Sequence, residues 1–488
     1  MIIIKENSEW IIYWGLVVLF SVILIGLVWV PSYFPSQDGP SHLYNAWIMK
    51  AMGNPDYPLI NSSYSMRWGL FPNWAGHAVM FSLMHIFSPI TAEKIWLILI
   101  ILGLPSGIII FARVVTTGIE NPSVPWWSLL GFFFALNHPI YKGFQNHGMG
   151  LVLFIFILAY FWSKNVRGWS AFQLLILNIL LISTYFCHIV PFILSLMAII
   201  ILRLCNRESI NNNLRFFSGL IPMGLLLVYY RYSYPAQYML RLPGWGYIKK
   251  EALYLLQGKM LTGFNPHDSW YIALLALLGI GTIGMLWSMV IGTGSSKRRD
   301  KRNQLLILVL FLSGLYFISP DAIGGGKYLN MRLALYPLFP LIVWLKAPRN
   351  MLLRILLICA IFILNLSHFK ESRSAQKQIN KHYNRIVYLT KNIPDHSFIK
   401  TCRTFQKCNQ DLRPILHAVS YGIIGRDNVN LTNYEARLPY FPIKWRTKPE
   451  LKWPIYSLTR TADNYTILPL DRTEFPAELF YSKFLTNK

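Results

Sequence analysis

Residues 10–30 read WIIYWGLVVLFSVILIGLVWV and residues 31–43 continue PSYFPSQDGPSHL. The first stretch is 21 positions without a charge, enough for a helix to cross a hydrocarbon core of about 30 Å at about 1.5 Å per residue. A cleavable leader has a shorter apolar region of about 7–15 residues followed by small residues. Here Trp29-Val30-Pro31-Ser32-Tyr33 follows, so an uncleaved anchor is expected. The same character recurs near 94–112, 126–141, 148–163, 170–187, 189–202, 214–230, 269–291, 304–319, 333–345 and 351–366. With 54% hydrophobic and only 14% charged residues, soluble, disordered and small disulfide-scaffold classes are excluded. The pattern predicts a mainly α, polytopic membrane helix bundle of about 11–13 crossings with a small exterior α+β C-terminal domain.

The formal charge is +25. In a chain of apolar spans the basic residues are forced into short loops, so the charge reports topology and not a nucleic-acid partner. With the N-terminus inside, the loops at 113–125, 164–169, 203–215, 292–303 and 346–354 face the cytoplasm and hold 14 Lys or Arg. The outward turns at 142–147 and 320–332 hold Lys142, Lys327 and Arg332. That asymmetry is what the positive-inside rule requires. Phe71–Phe87, interrupted by Asn73, His77, Ser82 and His85, is read as interfacial or re-entrant. The reading therefore divides the chain into a transmembrane domain, 1–366, with a first exterior loop at 31–72, and a soluble extracytoplasmic domain, 367–488. Cys402 and Cys408, six positions apart in that tail, are either a disulfide or two free thiols.

Acidic residues beside the membrane on the outward side are scarce, and Asp38 stands out among them. It lies in Pro35-Ser36-Gln37-Asp38-Gly39-Pro40-Ser41-His42-Leu43, about eight residues past the first span. Gly39-Pro40 signals a turn, and Ser41–Met52 reads as a helix that begins there. Two roles are open for Asp38: a cap on that helix, or a reactive carboxylate whose charge the helix dipole favours. His42, four positions on, is placed to orient the carboxylate or to share a cation with it.

One span, a long outward loop with an acidic residue just beyond the membrane, further spans and an exterior tail resemble the GT-C class of glycosyltransferases. That class includes the protein O-mannosyltransferases and the lipid A aminoarabinose transferases, and Asp38-Gly39-Pro40-Ser41-His42-Leu43 is similar to an Asp-x-x-x-His version of the motif. The resemblance covers the whole chain in layout, but the family's acidic pair is here Gln37-Asp38. It implies a sugar donor linked to a polyprenyl phosphate, an extracytoplasmic glycan, lipid or protein acceptor, inversion at the anomeric centre, and a bacterial inner membrane with the C-terminal domain in the periplasm. Asp38 would be the base, with His42 beside it.

Glycosyl transfer also needs cationic help for the departing phosphate. Gly324-Gly325-Gly326-Lys327-Tyr328-Leu329-Asn330-Met331-Arg332 offers Lys327 and Arg332, since glycines let a backbone approach an anion and Arg grips phosphate through a planar fork. It is no Walker loop, lacking the spacing and the Ser or Thr after Lys. The polar turn from Asn137 to His147 adds His138, Lys142 and His147, and His188 enters from the turn between two spans. These six are the expected substrate-binding residues. No short-range histidine pair has metal-ligand spacing, so no metal ligand is assigned, although a divalent cation is compatible with the chemistry. Two other classes stand beside the transferase. A polysaccharide polymerase or O-antigen-ligase-like enzyme would use basic residues of the 231–268 loop, and a lipid-linked sugar transporter would need repeated halves and charges within spans.

Overall fold

The computed structural model describes residues 2–116, 123–164, 169–206, 208–234, 244–258, 261, 263, 269–291, 301–322, 328–401, 412–446, 454–461 and 464–469. Lys327, Cys402 and Cys408 lie outside them.

In chain order the elements are α1 (Ile2–Trp29), α2 (Gly39–Ala51), α3 (Pro58–Ser63), β1 (Tyr64–Met66), α4 (Ala75–Leu83), α5 (Pro89–Thr116), a 3-10 turn (Trp126–Leu129), α6 (Leu130–Ala135), α7 (His138–Lys142) and α8 (Gln145–Lys164). They continue as α9 (Ala171–Cys187), α10 (Ile189–Cys205), α11 (Ile210–Gly219), α12 (Ile221–Ser233), α13 (Trp245–Leu256), α14 (Ser269–Ile291), α15 (Gln304–Ile318), α16 (Leu329–Leu333), α17 (Leu338–Trp344) and α18 (Met351–Lys391). The tail adds β2 (Phe398–Thr401), α19 (Val419–Ile423), β3 (Val429–Asn430), a 3-10 turn (Glu435–Arg437), β4 (Ile443–Trp445), β5 (Ile455–Thr461) and β6 (Asn464–Pro469). The chain is thus mainly helical with a small α+β tail.

Among the described residues six helices are long and apolar enough to cross a membrane: Ser8–Trp29, Pro89–Thr116, Gln145–Lys164, Trp270–Met289, Lys301–Ile318 and Met351–Lys391. Ala171–Cys187, Ile189–Cys205 and Leu329–Trp344 are apolar but shorter. Three segments read as single spans are broken, one of them 333–345, which holds the end of α16 and then α17. The run 126–141 becomes a 3-10 turn, α6 and α7, because Pro139 in the first turn of α7 cannot extend a preceding helix. The run 214–230 breaks at Leu220, two residues before Pro222. Phe71–Phe87 contains only the nine-residue α4, too short to cross.

The chain forms two compact units, one of residues 1–27, 98–139 and 147–373, the other of residues 28–97, 140–146 and 374–488. In the first, small residues let helices approach. A Cβ on Gly103 or Gly107 of α5 would press on Val152 or Ile155 of α8, the close contact that small-xxx-small spacing permits in apolar surroundings. Phe20 packs against Phe132, Phe362 and Phe369. Tyr13 Oη and Ser128 Oγ share a buried 2.7 Å hydrogen bond.

The second unit joins the segment between α1 and α5 to the tail. β1 pairs antiparallel with β4, Tyr64 opposite Trp445. The other sheet has the order β3-β2-β5-β6, with β2 parallel to β3 and β5, and β5 antiparallel to β6. The buried Asp427 carboxylate accepts the N–H groups of Leu59 (2.8 Å) and Ile60 (2.9 Å), satisfying donors that open the first turn of α3. Asn45 and Asn433 exchange amide hydrogen bonds of 3.0 and 2.9 Å. α18 runs without a break from Met351 to Lys391, carrying the chain from the apolar segment into the tail.

Candidate active site around Asp38

Within the second unit, residues 36–39 are laid against residues 141–143. The Gln37 N–H donates to the Tyr141 carbonyl (2.9 Å) and the Asp38 N–H to the Lys142 carbonyl (3.2 Å). Gly143 has φ +88°, and a Cβ there would collide with the backbone nitrogens of Asp38 and Gly39, so only glycine permits this approach. A Cβ on Gly39 would in turn run into Ser36 Oγ, Gln145 and Glu93.

α2 begins at Gly39, two residues earlier than the sequence suggests, with Pro40 in its first turn. Asp38 is its N-cap residue, but the side chain makes no capping hydrogen bond. The backbone does that work, since the Asp38 carbonyl accepts from Ser41 and His42 N–H at 3.0 and 3.1 Å. The carboxylate is therefore turned elsewhere. Gln37 Nε2 donates to Asp38 Oδ1 (3.1 Å), while Gln37 Oε1 accepts from Lys142 Nζ (3.0 Å) and the Arg413 N–H (2.9 Å). His417 Nε2 lies 3.7 Å from Asp38 Oδ1, and its ring lies beside Tyr434. Burial holds His417 below the usual imidazole range, against the pull of Asp38 and Glu435. Asp38 itself is 9% exposed, so the carboxylate sits almost buried among polar side chains, with Lys142 linked to it through Gln37.

Beside it is a second buried carboxylate. Glu93 Oε1 accepts from Gln145 Nε2 (3.4 Å) and Oε2 from Tyr421 Oη (2.7 Å). Burial and the Glu93 charge push the Tyr421 phenol well above its usual range, so it remains a donor.

A third group shares this unit. His42 Nε2 meets the Gly143 carbonyl (2.9 Å) and its Nδ1 lies 3.0 Å from Glu435 Oε1. His77 Nδ1 meets the Asn73 carbonyl (3.1 Å) and its Nε2 lies 2.7 Å from Glu435 Oε2. The two imidazoles stand edge to face, 5.5 Å apart. Burial would raise the Glu435 carboxyl, but the two imidazoles outweigh it and hold the group well below the carboxylate range. Burial would likewise lower His42, yet Glu435 and Asp38 raise it. His42 thus has Nε2 on the Gly143 carbonyl and Nδ1 at ion-pair distance from Glu435, and the imidazole at ion-pair distance from Asp38 is that of His417.

The first unit holds a further group of polar side chains. His147, in the first turn of α8, and His188, between α9 and α10, stand 5.4 Å apart with their rings perpendicular. Tyr336 Oη lies 3.4 Å from His147 Nε2, and the Arg332 charge is felt by both imidazoles. His188 Nδ1 accepts from the Val190 N–H (3.1 Å) and caps α10. His138 is fully buried at the start of α7. Of the expected residues, Asp38, His42 and Lys142 come together in one unit, and His147, His188 and Arg332 in the other.

Glu93, Gln145, His417, Tyr421 and Glu435 were not singled out from the sequence, and Gln37 was marked only as standing in the place of a second acid. Glu93 carried a usable signal, an acid at the mouth of an apolar run. The tail residues carried none, because nothing local marks a buried His or Glu whose partners are hundreds of positions away.

No family model matches the chain, and no curated protein matches it in sequence. Among solved structures it is similar to ArnT from Cupriavidus metallidurans in the apo state, at 10% identity and a TM-score of 0.49, covering 91% of this chain and 92% of that one.

Proposed function

We propose that this protein is an integral membrane glycosyltransferase of the GT-C type that moves a sugar from a polyprenyl-phosphate carrier to an extracytoplasmic acceptor. The observation that carries the reading is the Asp38 carboxylate, free of helix capping and nearly buried among polar side chains, with Lys142 linked to it through Gln37. The layout of spans, first loop and tail quoted above supports it.

In this reading Asp38 takes the proton from the acceptor hydroxyl or amine as that atom attacks the anomeric carbon. The bond from that carbon to the phosphate oxygen breaks, and the polyprenyl phosphate leaves with the electron pair, so the anomeric centre inverts. A positioned base contributes about 10²–10⁴-fold to such a step, and the buried surroundings strengthen each electrostatic contact. Lys142 serves the phosphate through its charge. Gln37, occupying the place of a second acid, holds Asp38 and Lys142 in register. In the first unit Arg332, beside His147 and His188, carries a guanidinium of the type that grips phosphate oxygens.

The test uses the full chain in proteoliposomes with radiolabelled sugars on polyprenyl phosphate. The expected result is free polyprenyl phosphate released in step with sugar transferred to an acceptor glycan or lipid. Sugar crossing the bilayer with its carrier bond intact would overturn the reading in favour of a transporter. Turnover only of pyrophosphate-linked donors would overturn it in favour of a polymerase or ligase.

A further inference from the structure

We propose that His42 Nδ1, His77 Nε2 and Glu435 form a binding site for one divalent transition-metal ion, zinc in the first instance, with a fourth coordination position left open. The three ligand atoms lie within 4.8 Å of one another, and all three residues are buried.

The positions of the ring hydrogens follow from the acceptors around them. A backbone carbonyl only accepts, so His42 Nε2 against Gly143 O and His77 Nδ1 against Asn73 O both carry a hydrogen. In a neutral ring that leaves His42 Nδ1 and His77 Nε2 as lone pairs, and both face carboxylate oxygens, which are acceptors too. Acceptors converging in a buried space require a cation between them. A proton can serve the His77 arm, where the 2.7 Å contact has hydrogen-bond geometry. The other arm is at ion-pair distance but lacks that geometry. His42 Nδ1 and Glu435 Oε1 are 3.0 Å apart, yet both are buried atoms without a hydrogen-bond partner. An ion off the line between them, bonded at about 2.0–2.2 Å to each, satisfies both.

The surroundings match what such an ion uses. Each imidazole is fixed by the N–H of its far nitrogen on a carbonyl, the arrangement that sets tautomer and ring orientation at zinc. Asn73 O also accepts from Asn146 Nδ2 (3.2 Å), and Asn73 is held at φ +70°. Two imidazoles and one carboxylate with an open fourth position suit zinc and its neighbours better than magnesium or calcium, which prefer all-oxygen sites. The ligands come from α2, α4 and the 3-10 turn Glu435–Arg437. The ion would staple the first exterior loop to the tail within this unit, and it would hold the helix whose first turn follows Asp38. The inference does not depend on the transferase reading, because its readout is metal content and not turnover.

The experiment takes the purified full chain in nanodiscs, stripped with a chelator and dialysed. It is titrated with Zn²⁺ against a chromogenic competitor, and separately loaded with Co²⁺ for visible spectroscopy. The expected result is one tightly bound ion per chain and an intense tetrahedral cobalt spectrum. Glu435→Gln and His77→Gln should each weaken binding by more than the about 10–100-fold typical of an outer-shell change, while Asp38→Asn binds as wild type. If either ligand variant fails to fold, the wild-type cobalt spectrum still decides, since an octahedral or absent spectrum overturns the proposal. Equal zinc affinity in wild type and ligand variants overturns it as well.

Discussion

At Gly143 a single hydrogen in place of a side chain lets two strands of polypeptide touch. Its φ of +88° and the nearness of Asp38 N and Gly39 N leave no room for a methyl group. Gly143→Ala is predicted to cost about 1–3 kcal/mol, read as a lower melting midpoint in detergent, and to abolish transfer by moving Asp38. At His417 the expectation concerns pH. Its folded value lies below the unfolded one because of burial, so its contribution to stability is complete above about pH 6.5 and is lost as pH falls toward the folded value. His417→Asn should therefore flatten the fall in melting temperature between about pH 7 and 5. An unchanged slope would mean His417 titrates normally.

Elements show which sequence signals survive folding. The uncharged run at 10–30 and the acidic turn at Asp38 were legible, since length and Pro-Gly chemistry act locally. The Asp38 helix starts at Gly39 because Pro40 is tolerated in its first turn. The breaks within 126–141 and 214–230 carried a signal, Pro139 and Pro222, that apolarity overrode. The triad of His42, His77 and Glu435 was not legible, because its members are separated by 35 and 358 positions and meet only through tertiary packing. Gly103→Ile should force α5 from Val152 of α8 and cost about 1–3 kcal/mol. Asp427→Ala should strand the N–H groups of Leu59 and Ile60 and cost about 2–4 kcal/mol, raising proteolysis within α3.

At the scale of the whole molecule, the positive loops argue for an N-terminus inside and a first loop and tail outside. A cysteine at Ser296, beside the run from Lys297 to Arg302, should label only from the cytoplasmic side, and one at the exposed Ser62 only from the opposite side. Labelling of both from one side would remove the extracytoplasmic site. If Asp38 is the base of a glycosyl transfer, its loss strikes the chemical step and spares donor binding. Wild type and Asp38→Asn in nanodiscs are compared for donor binding at equilibrium and for sugar transfer in a single turnover. The variant is expected to bind the polyprenyl-phosphate sugar as wild type does and to transfer it about 10²–10⁴-fold more slowly. Full transfer by Asp38→Asn, or a loss explained entirely by weaker donor binding, would contradict that role.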